Sequence, residues 1–131
     1  MTAEVAALLA KARNLLTEGE AMQAAALPNA VGRAAYLAVF NAAMAFIYVR
    51  SGRVVKTHRG VRAEFARLAR EESRLDPGFA RFLSAAYEMK VVADYEADPA
   101  IFLAMEPAAA ALATAHRFVA AIAALLAEET P

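Results

Sequence analysis

Apolar residues recur every three or four positions along almost the whole chain, which is the spacing of one face of an α-helix. The pattern predicts five helices, at about residues 2–18, 28–52, 57–74, 76–96 and 107–128. The residues expected to begin or end them are Thr2, Gly19, Pro28, Gly52, Thr57, Asp76 and Pro99, because these types favour helix caps and breaks. No alternating run bounded by turn residues predicts a strand. We therefore expect one all-α domain over residues 1–131, an antiparallel bundle of about five helices.

One predicted helix is apolar enough to raise the question of a membrane. The segment from Ala34 to Val49 is interrupted only by Asn41. Its 16 residues fall short of the roughly 20 that cross a bilayer. We expect a helix buried on nearly all sides of a bundle instead, with hydrogen-bond partners for Asn41 and Tyr36 because an unsatisfied buried amide or hydroxyl is costly.

Composition narrows the possible functions. The net charge is zero and the pI about 6.7, so the whole molecule has no electrostatic preference for nucleic acid. The chain has no cysteine, which excludes disulfides, thiolate zinc sites and thiol nucleophiles and fits a cytoplasmic location. The two histidines, His58 and His116, have no partner at metal-ligand spacing, so neither a metal nor another cofactor is expected.

Two charged residues continue the apolar stripe of the fourth predicted helix. Lys90 and Asp94 follow, at helical spacing, the side chains of Phe79, Phe82, Leu83 and Ala86. Charges on such a stripe cost desolvation energy unless they pair or face a cleft, which makes them the first candidates for a site. The alternative is an apolar face that ends before them, leaving a surface ion pair of little energetic value.

Positive charge is concentrated in the middle of the chain. Eight of the 14 basic residues, but only three acids, lie between Arg50 and Arg74, a local net charge of +5. If the third helix continues to Arg74, its arginines share an arc of about 140°; they are Arg59, Arg62, Arg67, Arg70 and Arg74. This face could bind RNA phosphates or an acidic partner. It could equally be solvated, or pair with the acids between Glu88 and Glu106.

Three segments resemble the HEPN domain, in particular the small stand-alone prokaryotic HEPN proteins. The first is the stretch from Asn29 to Ala43, in which Arg33 precedes Tyr36 and Phe40. The second is Lys56-Thr-His-Arg-Gly-Val61, which looks like the Lys-Thr-His-x-Gly-Val signature. The third is Lys90-Val-Val-Ala-Asp94-Tyr95, which looks like an Arg-x-x-x-Asp-Tyr signature. The resemblance covers residues 28–126.

This resemblance implies a helical bundle that dimerises and that is paired with a minimal nucleotidyltransferase in a toxin–antitoxin-like module. Many members of the family are metal-independent ribonucleases that use an Arg-x(4–6)-His motif. Here Lys90 replaces the arginine, and Asp94, Tyr95 and Glu96 stand where the histidine would be. Lysine offers phosphate one point charge where arginine offers a two-pronged fork, so the family's usual catalytic motif is not intact.

Together these observations predict a cytoplasmic, homodimeric HEPN-domain protein that partners a minimal nucleotidyltransferase and binds nucleotide or RNA in a cleft. The predicted binding residues are Arg33, Tyr36, His58, Arg59, Arg62 and Lys90, and the candidates for a catalytic role are Lys90, Asp94 and Tyr95. We expect Lys90 to contact phosphate and Asp94 to hold Lys90. The alternatives are a ribonuclease toxin that uses the same cleft and a non-catalytic dimerisation module.

Overall fold

The computed structural model describes residues 1–95 and 103–129, and all regular structure within them is α-helical. The helices are α1 (Ala3–Ala24), α2 (Pro28–Ser51), α3 (His58–Ala69), α4 (Phe79–Asp94) and α5 (Met105–Glu129). They pack together around one hydrophobic core. The predicted all-α, five-helix fold is therefore confirmed.

Helix α2 is the centre of the bundle and touches each of the other four helices. Its many alanines allow neighbouring helices to approach closely, and 14 of its 24 residues are buried. Phe46 of α2 packs edge-on against Phe65 of α3, with ring centroids 5.5 Å apart. Phe118 of α5 continues this aromatic core to Phe79 of α4 at 4.9 Å. These rings join α3, α4 and α5 to the central helix.

Both ends of α2 and the start of α3 follow the sequence signals. Pro28 occupies the first turn, where its missing N–H removes no hydrogen bond. Gly52 takes the left-handed conformation (φ 70°) beyond the last turn and donates its N–H to the Tyr48 carbonyl at 2.8 Å. Thr57 caps α3 by accepting a hydrogen bond from the Gly60 N–H at 3.0 Å.

The expected end of α1 at Gly19 is wrong, because the helix continues to Ala24. Gly19 is buried within α1, and a Cβ atom at this position would lie 2.7 Å from the Leu112 Cδ1 of α5. The glycine therefore allows a close helix–helix approach. The reason for a glycine at this position is its contact with Leu112, which lies far away in the sequence and cannot be inferred from the residues around Gly19.

The predicted bounds of α3 and α4 also need correction. Helix α3 ends at Ala69 rather than Arg74, so Arg74 lies outside the helix and the predicted five-arginine face does not form. Asp76 accepts the Gly78 N–H at 2.8 Å in a turn, and α4 begins only at Phe79. Helix α4 ends at Asp94, while the expected end at Glu96 and the break at Pro99 fall outside the described residues.

An ion-pair network connects the turn that follows α3 to the rest of the bundle. The Glu72 carboxylate accepts hydrogen bonds from the Arg50 guanidinium at 2.9 Å and from the Arg74 backbone N–H and guanidinium at 2.8 Å. Both arginines also pair with Glu129 at the end of α5. The network thus joins α2, the turn after α3 and α5, using acids other than those predicted between Glu88 and Glu106.

Two helices, α2 and α5, are long and apolar enough to span a membrane when only length and composition are considered. The core helices of soluble proteins meet the same criterion. The most apolar part of α2 is mostly buried inside the bundle, and that of α5 is less than half buried. The burial of α2 agrees with the expected bundle helix; α5 was not expected from the sequence to meet this criterion. The cytoplasmic location stays a prediction.

Candidate functional site

Helices α2, α3 and α4 bring six of the eight predicted site residues together. We call this group the polar cluster; it consists of Arg33 and Tyr36 from α2, His58 and Arg62 from α3, and Lys90 and Asp94 from α4. The helices that supply it are packed on the hydrophobic core. Side chains separated by up to 61 positions in sequence are therefore in direct contact.

A hydrogen bond between Tyr36 and His58 lies at the base of the cluster. The Tyr36 hydroxyl is 2.7 Å from His58 Nδ1, and the Tyr36 side chain is fully buried. Burial raises the pKa of Tyr36 well above its ordinary value, so the phenol keeps its proton. Among the described residues the hydroxyl has no other partner, so it donates to Nδ1 and the neutral ring carries its proton on Nε2. The expected partner of Tyr36 is thereby confirmed.

The environment keeps His58 neutral. Its pKa is lowered from the ordinary value chiefly by burial and further by the positive charges of Lys90 and Arg62, while Asp94 opposes the shift. At neutral pH the ring is therefore uncharged, with Nε2–H available as a hydrogen-bond donor. In this form Nε2 has no free lone pair and cannot accept a proton.

Asp94 bridges two helices through two cations. Its Oδ1 accepts from Arg33 Nε of α2 at 2.9 Å, and its Oδ2 pairs with Lys90 Nζ of α4 at 2.7 Å. The expected Lys90–Asp94 pair is therefore present, and Arg33 is an additional partner that the sequence did not indicate. The pKa of Asp94 is lowered, first by the hydrogen bond from Lys90 and then by that from Arg33. All three side chains are partly open to solvent, with exposures of 39% for Arg33, 25% for Lys90 and 30% for Asp94.

Tyr87 is the residue of this region that sequence reasoning did not select. The Arg62 guanidinium lies over its ring, 4.1 Å from the centroid, a cation–π contact. The same ring lies 5.5 Å from those of Tyr36 and His58. Tyr87 precedes Lys90 by three positions, so a search for neighbours of Lys90 on the same helical face would have found it.

Two predicted site residues lie apart from the cluster. Tyr95 follows the last turn of α4 and is exposed, and Arg59 is exposed on α3. Neither makes a polar contact with the cluster within the described part of the chain. The rest of the predicted basic face is also dispersed: Arg67 pairs with Glu64 on its own helix, and Arg74 belongs to the Glu72 network.

The cluster as a whole has a positive charge. Arg33, Arg62 and Lys90 contribute three positive charges and Asp94 one negative charge, and neutral His58 adds none, which leaves +2. In residues 1–95 and 103–129, no group of three or more His, Asp or Glu side chains is arranged to hold a metal ion. The chemistry that this arrangement offers is anion binding by two guanidinium groups, one ammonium group and one imidazole N–H.

The chain matches no protein-family model, and no match is found among curated proteins. The resemblance to HEPN proteins therefore rests on the three sequence segments, and the polar cluster must be interpreted from its own chemistry.

Proposed function

We propose that the chain is a HEPN-type protein that partners a minimal nucleotidyltransferase and binds the phosphate groups of a nucleotide or an RNA at the polar cluster. The observation that supports this most is that Arg33 of α2 and Lys90 of α4 both pair with the Asp94 carboxylate, while a third cation, Arg62 of α3, lies over the neighbouring Tyr87 ring. Such an excess of positive charge on one partly exposed surface attracts anions, and arginine is suited to phosphate because it binds two oxygens at once.

Each member of the cluster has a role in this proposal. Lys90 and Arg33 are partly exposed and lie on either side of Asp94, which orients both. His58 adds a neutral Nε2–H donor, and as the first residue of α3 it lies at the positive end of the helix dipole. Tyr36 fixes the tautomer of His58 from below.

The same geometry favours binding over RNA cleavage. A metal-independent ribonuclease needs a group that takes the proton of the attacking 2′-hydroxyl. His58 carries its proton on Nε2, and Asp94, whose pKa is lowered by two cations, is a weak base. We therefore keep binding as the proposed activity and the ribonuclease as the alternative to be tested.

The direct test is binding of fluorescein-labelled single-stranded RNA and of ATP to the purified protein, measured by anisotropy or calorimetry over a range of salt concentrations. We expect Lys90→Met to weaken binding several-fold and to reduce the salt dependence, because one phosphate contact is lost. The matched control is Arg81→Met: Arg81 is exposed on α4, and at 100° per residue it lies on the opposite side of the helix from Lys90. Equal losses in both variants, or no binding by wild type, would overturn the proposal.

Cleavage and partnership need separate measurements. Incubation with total RNA, with Lys90→Ala as the control, distinguishes a ribonuclease from a binding protein: degradation by wild type alone would establish the alternative. Co-purification with the product of the adjacent gene tests the partnership. If that gene encodes no short nucleotidyltransferase, or if its product does not associate, a dimerisation module becomes the better description.

A further inference from the structure

A concave surface outside the polar cluster lies between α1, α2 and the connector over residues 53–56. We call it the α1–α2 groove; its cavity has a volume of about 700 Å³. Its wall is mostly apolar and includes Leu8, Leu37, Met44 and Val55. This volume lies within the range of small-molecule sites, roughly 300–1,000 Å³, which combine an apolar lining with a few polar groups. Phosphate binding at the polar cluster does not involve this groove.

Asn41, a mostly buried residue, supplies a polar atom to the groove. The residue is only 4% exposed, and its Nδ2 donates to the Leu37 carbonyl at 2.7 Å, which confirms the expected partner of Asn41. That bond fixes the amide orientation, because only the nitrogen can donate to a carbonyl. The amide oxygen accepts no hydrogen bond from any described residue. Among the described residues, every side-chain oxygen or nitrogen without a hydrogen-bond partner is accessible to solvent. The Asn41 oxygen is therefore accessible, and it opens into the groove that Asn41 lines.

Charges stand at the rim of the same groove. Lys11 of α1 and Lys56 of the connector both line it, and Glu4 stands on α1 two helical turns from Lys11. None of the three forms a salt bridge with another described residue. The groove therefore offers an apolar wall, one hydrogen-bond acceptor on a mostly buried residue and an excess of positive charge at its edge.

We propose that the α1–α2 groove binds a small amphipathic anion with an apolar body, one N–H or O–H donor that reaches Asn41 Oδ1, and an acidic group that reaches Lys11 or Lys56. A second copy of the chain fits less well, because two identical concave surfaces do not fill one another.

The probe for this site is 8-anilinonaphthalene-1-sulfonate, which combines aromatic rings, one bridging N–H and one sulfonate. Its fluorescence on titration should give saturable binding of one molecule per chain. Ala7→Trp should abolish this binding, because Ala7 is an exposed residue that lines the groove and an indole would fill it. Ala10→Trp is the matched control: Ala10 is exposed on the same helix and does not line the groove.

Substitutions that remove polar groups distinguish a specific binding site from a non-specific apolar surface. Asn41→Leu makes the groove more apolar and should still weaken binding of the probe about fivefold, the value of one neutral hydrogen bond. Lys56→Met should weaken it about two- to fivefold and reduce its salt dependence, whereas Arg13→Met, at an exposed position of α1 outside the groove, should have no effect. Circular dichroism of each variant verifies the fold.

Three results would overturn the proposal. The first is equal probe binding by wild type and Ala7→Trp, and the second is binding to Asn41→Leu as tight as or tighter than to wild type. The third is a wild-type dimer that binds no probe and becomes monomeric in Ala7→Trp but not in Ala10→Trp, measured by sedimentation. That result would assign the groove to a second copy of the chain.

Discussion

Replacing Lys90 by methionine separates a functional role of the Lys90–Asp94 pair from a structural one. Methionine keeps most of the length and the apolar contacts of lysine and removes its charge and its N–H donors. If Asp94 depended on Lys90 alone in a buried site, stranding the carboxylate would cost about 3–5 kcal/mol. In the structure, however, Arg33 remains 2.9 Å from the carboxylate, and Asp94 is partly exposed. Exposed pairs contribute about 0–1 kcal/mol, so we expect Lys90→Met to cost no more than about 1 kcal/mol.

This free energy converts into a measurable change of melting temperature. With an unfolding entropy of about 2.1 cal/mol/K per residue, the 131 residues give a shift of about 4 °C for each 1 kcal/mol at the midpoint. The functional interpretation thus predicts that Lys90→Met and Asp94→Asn melt within about 4 °C of wild type. A buried structural pair predicts a loss of about 11–18 °C.

The assay is thermal unfolding followed by circular dichroism at pH 7 for wild type, Lys90→Met, Asp94→Asn and the double variant. RNA or ATP binding is measured on the same preparations. We expect Lys90→Met to lose affinity while it keeps its fold. Large losses of stability in both single variants, rescued in the double variant, with no ligand bound by any form, would refute the reasoning and leave the pair as a purely structural contact.

Three further predictions concern stability, protonation and assembly. Glu72→Gln should cost about 1–3 kcal/mol of stability, because Arg50 and Arg74 lose a charged acceptor. Folding lowers the pKa of Glu72. The stabilisation by Glu72 should therefore be present above a pH of about 4.3 and should fade below it. The variant His116→Gln retains only one histidine, His58, and its NMR titration should give a pKa below about 6.5. Because folding lowers the pKa of His58, the stability of the fold should decrease as the pH drops below about 6.5. Sedimentation should give a homodimer, and the monomer mass of 13.9 kDa at micromolar concentration would contradict this.

Local signals were sufficient to predict most of the fold. The bounds of α2 follow from Pro28 and Gly52, which act on the first and last turns whatever the rest of the chain does. The predicted end of α3 was wrong because it depends on contacts with residues far away in the sequence. The chain turns after Ala69, and Glu72 in this turn pairs with Arg50, which lies 22 positions earlier. A periodic pattern alone does not indicate such a distant contact.

The site divides in the same way. The Lys90–Asp94 pair could be predicted because its members lie four residues apart on one helix. Arg33 and Asp94 lie 61 positions apart, and no pattern within either segment indicates that their side chains meet. The contact of Arg62 with Tyr87 joins α3 to α4 and was missed for the same reason. The HEPN-like segments contain five of the six cluster residues, but they also contain Arg59 and Tyr95, which lie apart from the cluster, and they do not indicate which side chains pair.

Helix α2 links the two surfaces that we propose as binding sites. Arg33 and Tyr36 of α2 belong to the polar cluster. Leu37 and Asn41, which directly follow Tyr36 and Phe40 in the sequence, line the α1–α2 groove. Phe40 contributes to both, since its ring lies 4.8 Å from that of His58 and it also lines the groove. A substitution of Phe40 is therefore expected to perturb both surfaces. Asn41 on α2 and Ala7 on α1 belong to the groove alone, and Lys90 on α4 belongs to the polar cluster alone, so their substitutions can assign an effect to a single site.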